Sequence, residues 1–154
     1  MIYLKDKNLL FIKSGKVAGT SVEIALSANA TDEDIVTPFG PFEDELKRDE
    51  VGGHFPVNWA EKKEDETLAY KKFKTLKALS KAGRLPEGKV SVFRGHRFRG
   101  HIRADQIVEL CGESFLKDAH VVVISRHPYD RLMSGAHFRA KTRPGHGVAI
   151  RTSF

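Results

Sequence analysis

With 154 residues the chain has room for one domain around one core. Its 26 Lys and Arg against 20 Asp and Glu give a formal charge of +6, which favours an anionic partner: a nucleotide, an acidic glycan or nucleic acid. No apolar run approaches the roughly 20 residues that cross a bilayer, which excludes a membrane span. The first residues, from Met1 to Lys7, lack the basic start and long apolar stretch of a secretion signal. A single cysteine, Cys111, excludes an internal disulfide and a cysteine-rich zinc site, and both features point to the cytoplasm.

Residues 1–4 and 8–12 are short apolar runs around Lys5-Asp6-Lys7, the pattern of a hairpin. Leu9-Leu10-Phe11-Ile12 has the continuous apolarity of a central strand buried on both faces. Gly15 and Gly19 follow, and Thr20-Ser21-Val22-Glu23 has the form of a capping box that opens a helix with Val22, Ala25 and Leu26 inward. Residues 30–66, rich in Pro, Gly, Asp and Glu, read as loops and irregular pieces. A helix is predicted over 67–82, its inner face Ala69, Phe73, Leu76 and Leu79, its lysines solvated, its stop at Gly83. Residues 89–93 alternate like a strand, and 103–111 form a helix with Ile107, Leu110 and Cys111 inward. Residues 120–125, with Val121-Val122-Val123-Ile124, predict a second buried strand. Pro128 then opens a helix with Tyr129, Leu132, Met133 and Ala136 as its stripe. Residues 142–154 read as a basic tail. Strands feeding helices through short loops predict one α/β domain, a three-layer sandwich on a mainly parallel sheet, with its ligand at the carboxyl ends of the strands.

Two loops at that edge are suited to phosphate. In residues 13–21 a buried strand runs into a helix N-terminus, where free N–H groups and the helix dipole favour an anion. Gly19 permits close backbone approach, Thr20 and Ser21 add hydroxyls, and Lys16 adds a point charge. A capped helix after a strand explains the same segment without a ligand. The order differs from a Walker loop, in which the lysine follows the second glycine and precedes a Ser or Thr. In the second loop, Arg126 offers a planar donor fork and Ser134, eight residues later, a neutral hydrogen bond; Arg131 reads as a structural ion pair.

Lys16-Val17-Ala18-Gly19-Thr20-Ser21 resembles the phosphosulfate loop of carbohydrate-type sulfotransferases, Pro-Lys-Thr-Ala-Gly-Thr-Ser, with Gly15 in place of the proline and Val17 in place of the first threonine. Arg126, Pro128, Arg131 and Ser134 are similar to that family's 3′-phosphate motif. The resemblance implies a P-loop-like fold and 3′-phosphoadenosine 5′-phosphosulfate as sulfuryl donor, with no metal. It further implies donor contacts from residues 16–21, Arg126 and Ser134, leaving-group stabilisation by Lys16, and a glycan or other hydroxyl-bearing acceptor. His101, after Gly100 and before a short helix, occupies the place of the family's basic histidine; His96 and His54 are rivals that read more simply as loop histidines. Pairing with a second copy would complete a core that this length leaves short of the family's. The competing readings are a nucleotide-binding module without catalysis, a basic nucleic-acid binder using residues 94–101, and a P-loop kinase. Against the last stand the misplaced lysine and the lack of a Walker-B strand.

Overall fold

A computed structural model describes residues 1–86 and 92–142. Four strands form one sheet in the order β3-β1-β2-β4: β1 (Ile2–Leu4), β2 (Leu9–Ile12), β3 (Ile35–Val36) and β4 (His120–Val123). β1 pairs antiparallel with both β2 and β3, and β2 pairs parallel with β4. The chain is therefore α/β, but the described sheet is mixed rather than mainly parallel. The reason is the link between β1 and β2, a 3-10 turn over Lys5–Lys7 with Asn8 in the left-handed region, which is too short for the crossover a parallel pair requires.

Six helices accompany the sheet among the described residues: α1 (Gly19–Ser27), α2 (Phe42–Glu50), α3 (Lys63–Lys81), α4 (Ala104–Cys111), α5 (Glu113–Asp118) and α6 (Pro128–Thr142). Alternation along β1 divides the core. Ile2 and Leu4 join Val36 and Val57 with Leu26 of α1, whereas Tyr3 packs with Leu10, Ile107, Phe115 and Leu116 under α4 and α5. A third cluster joins the Ala69, Phe73 and Leu76 face of α3 to Phe42, Trp59, Val92 and Phe93.

Several expectations need correction. Residues 30–66 are not wholly irregular: they hold β3, α2 and the start of α3, four residues earlier than periodicity placed it. The first turns of α2 and α3 carry only acidic residues after the opening one, Glu43-Asp44-Glu45 and Glu64-Asp65-Glu66, which favours helix N-termini. Lys77 leaves the solvated face of α3 to pair with Asp49 of α2. The strand predicted over 89–93 falls partly on residues 89–91, outside the described residues, and the basic tail from 143 onward does so entirely; Val92 and Phe93 are buried without strand pairing. Leu110, expected inward beside Ile107, is 37% exposed.

The capping box at α1 does not form. Ala18 is the N-cap, with no side-chain hydrogen bond, and the buried face is Gly19, Glu23 and Ser27 rather than Val22, Ala25 and Leu26. Glu23 lies fully buried, paired with the α-amino group of Met1 and, at 2.7 Å, with Lys13 Nζ. Burial of the Met1 amine outweighs this partner and lowers its pKa to about 6. β4 also departs from expectation: all four of its residues are exposed, Val121 to 43%, Val122 to 41% and Val123 to 56%. Among the described residues it is an edge strand with β2 on one side only, and α6 buries none of its own residues.

Candidate functional site

Parallel pairing of β2 with β4, in the register Ile12 to Val123, sends the two phosphate-suited loops out of the same sheet edge. Ser14 Oγ ties them together by donating to the carbonyl of Ile124 at 3.1 Å. Lys16 and Ala18 both have left-handed backbone, φ +62° and +61°. Non-glycine residues avoid that region, and left-handed residues alternating with right-handed ones are what build the backbone concavities, or nests, that hold anions. Gly19 answers a packing need as well: a Cβ there would lie 2.6 Å from Cγ of Lys13, whose stem crosses the helix start to reach Glu23.

Two cavities flank this loop, and Gly15 and Lys16 line both. The smaller, about 400 Å³, is bounded by Lys16, Arg126, Arg131 and Arg139, with no carboxylate in its wall among the described residues. The larger, about 620 Å³, has Lys13, Arg99, His96 and His101 among its polar walls, Phe39, Phe93 and Phe138 among its apolar ones, and Asp44 as the acid in its lining. Lys16 Nζ rests 3.9 Å from the centroid of the Phe138 ring, so α6 contributes to both cavities.

The structure brings Lys16 and Arg126 to one cavity and Lys16, Ala18, Gly19, Thr20 and His101 to the other. It does not bring in Val17, whose side chain is buried, nor Ser21 or Ser134, which line neither cavity. Arg131 was expected in an ion pair. It has no carboxylate partner among the described residues and faces the smaller cavity, because α6 projects residues 131, 135 and 139 on one side at four-residue spacing. That spacing was the available signal for Arg139.

His101 Nδ1 lies 3.4 Å from the carbonyl of Lys13, which can only accept, a contact that favours the tautomer with its hydrogen on Nδ1 and the lone pair on Nε2. Burial, then the nearby Lys13 charge, lowers the pKa of His101 and favours the neutral ring. His96 also lines the larger cavity; its Nδ1 is buried without a partner among the described residues, its ring lies tilted against Trp59 with centroids 4.9 Å apart, and burial followed by Arg99 lowers its pKa. His54 lies apart from both cavities, bonded to the carbonyl of Phe55 at 2.7 Å and facing Asp32 at 3.3 Å.

No family model, curated protein or solved structure matches the chain. Among the described residues no helix is long and apolar enough to cross a membrane, and no group of three or more His, Cys, Asp or Glu is placed to hold a metal ion. Sequence reasoning missed Lys13 and the buried pair Glu45 and Arg48 behind Phe39. Lysine at a strand end and charges inside a Glu- and Lys-rich segment carry no signal of burial.

Proposed function

We propose that the chain is a sulfotransferase domain that takes 3′-phosphoadenosine 5′-phosphosulfate at the smaller cavity and a hydroxyl-bearing acceptor, a glycan or a similar alcohol, at the larger. The observation that carries this reading is the convergence of Lys16 and Arg126, from two parallel strand-loop-helix units, on one cavity walled by four cations. Such a wall fits a ligand with several phosphate charges, since each Arg offers a fork of donors and, among the described residues, no carboxylate competes. When bound, the donor supplies the sulfuryl group and departs with the S–O electron pair as a nucleotide phosphate. Lys16, on the wall common to both cavities, neutralises charge on the departing phosphate. His101 takes the acceptor's proton at Nε2, and its depressed pKa keeps that lone pair available near neutral pH.

The finer fold reading, a three-layer P-loop-like sandwich, accompanies this proposal. It rests on the side-by-side units β2-α1 and β4-α6 and on apolar packing against both faces of β1. A cytoplasmic setting belongs to the same reading.

Calorimetric titration of the chain with 3′-phosphoadenosine 5′-phosphate, beside ATP and 5′-AMP, tests it. Binding that prefers the 3′-phosphorylated nucleotide by at least about tenfold, equivalent to about 1.4 kcal/mol, is expected. Equal or absent binding of all three would leave a basic binding module instead.

A further inference from the structure

The larger cavity owes part of its wall to a charged pair that never reaches it. Residues 37–41 follow β3 and present Pro38, Phe39, Gly40 and Pro41 to the cavity. Behind them, on α2, Glu45 and Arg48 are both about 1% exposed. One carboxylate oxygen of Glu45 accepts the N–H of Phe39, and the other accepts from Arg48 Nη1 at 2.8 Å. The Arg48 guanidinium lies 3.9 Å from the Phe39 ring centroid and donates through Nη2 to the carbonyl of Thr37 at 3.2 Å. Lys13 Nζ stands 4.8 Å from the centroid of the same ring.

A buried pair of this kind is expensive to desolvate, and an apolar pair of similar volume commonly serves stability as well or better. Arg48 even leaves its Nε buried without a partner. What charged groups provide here and apolar ones do not is a set of directed bonds to the backbone of residues 37 and 39. We propose that Glu45 and Arg48 are positioning residues of the larger cavity, fixing Phe39 and residues 37–41 as its wall in a way that depends on the ionisation of Glu45. The assignment of that cavity to an acceptor rests on the sulfotransferase reading; the positioning itself does not.

The surroundings of Glu45 set the direction of the pH response. Arg48 and the Phe39 N–H favour the carboxylate; Asp44 on α2 and Glu23 on α1 oppose it, with Glu23 itself facing Lys13 and the Met1 amine. Burial prevails and raises the carboxyl to about 7. Above that pH the carboxylate grips both Phe39 and Arg48; below it the protonated group gives a weaker acceptor and the wall loosens.

The test is a ¹⁵N–¹H NMR titration of the whole chain between about pH 5.5 and 8.5. The Phe39 amide is expected to move upfield on acidification with a midpoint near 7, with Thr37 and Gly40 following. E45Q alone leaves Arg48 charged and unpaired and is prone to unfold, so the second variant is the double substitution E45Q/R48M, its folding checked by thermal melting. In that variant the transition near 7 should disappear from the Phe39 and Gly40 amides, while Thr37, whose Oγ1 accepts from the Met1 amine, keeps that amine's transition near 6. Its affinity for 3′-phosphoadenosine 5′-phosphate should stay within about twofold of the parent, since the smaller cavity does not include these residues. A Phe39 amide that does not titrate in the parent chain, or that still titrates in the folded double variant, overturns the proposal. Failure of the parent to bind the nucleotide counts against the donor reading, and the Phe39 titration is read independently of it.

Discussion

The units β2-α1 and β4-α6 share one plan, a parallel strand feeding a helix through a phosphate-suited loop, and differ in how they are held. In the first, Leu10 and Phe11 are fully buried, and α1 is fastened through Glu23 to Lys13 and to the amine of Met1. In the second, among the described residues, the valines of β4 are exposed on a sheet edge, and α6 buries none of its residues while its Phe138 ring meets Lys16. Apolarity therefore measures a strand's capacity for burial, while neighbours on both sides and both faces decide whether burial occurs.

Substitutions should expose that contrast. Phe11→Ala should cost about 3–5 kcal/mol by chemical denaturation, whereas Val122→Ala, on the exposed strand, should stay within about 0.5 kcal/mol. Equal costs would mean that β4 is covered in solution. Glu23→Ala strands the Lys13 cation and takes the carboxylate partner from the buried Met1 amine, and should also cost about 3–5 kcal/mol, a large share of the roughly 5–15 kcal/mol of a typical domain. Gly19→Ala pushes its Cβ into the Lys13 stem; the flexible lysine yields, and the expected loss is about 1–3 kcal/mol with Lys13 drawn off Glu23.

pH gives a gentler comparison. Because the folded pKa of Glu45 is raised from 4.5 to about 7, its contribution to stability is complete below the unfolded value and lost as pH rises through about 7. The Met1 amine, lowered from 8.0 to about 6, acts with the opposite slope: its contribution is present above 8 and lost as pH falls through 6. E45Q/R48M should therefore remove the falling limb of the stability profile and leave the rising one. The smallest effect concerns α6: Phe138→Ala frees Lys16 from an exposed ring contact of about 0.5–1 kcal/mol and should tighten nucleotide binding about two- to fivefold.

The hairpin, the buried strand at residues 9–12, the inner face of α3 and the Pro128 helix start were all legible, because each is a local pattern of period or punctuation. So was the common edge of the two loops, which follows from strands that run the same way. α2 was hidden because Phe42-Glu43-Asp44-Glu45-Leu46-Lys47-Arg48 carries too few apolar residues to show a period, its inner face being Phe42, Glu45 and Arg48. Glu23 misled for a related reason. Its place after Thr20 fits a cap, and only the tertiary approach of Lys13 and Met1 makes it a buried counter-ion. The Arg131 and Arg139 wall needed the helix face as well as the motif.

The central claim is that the nest at Lys16 and the fork at Arg126 read different ends of one nucleotide. Calorimetric titration of Lys16→Ala and Arg126→Ala with 3′-phosphoadenosine 5′-phosphate and with 5′-AMP tests it most directly. Arg126→Ala should weaken the 3′-phosphorylated nucleotide at least about tenfold, the worth of a charge-assisted hydrogen bond, and leave 5′-AMP unchanged, while Lys16→Ala should weaken both. Equal losses for both nucleotides in Arg126→Ala, or no loss in either variant, would contradict the account.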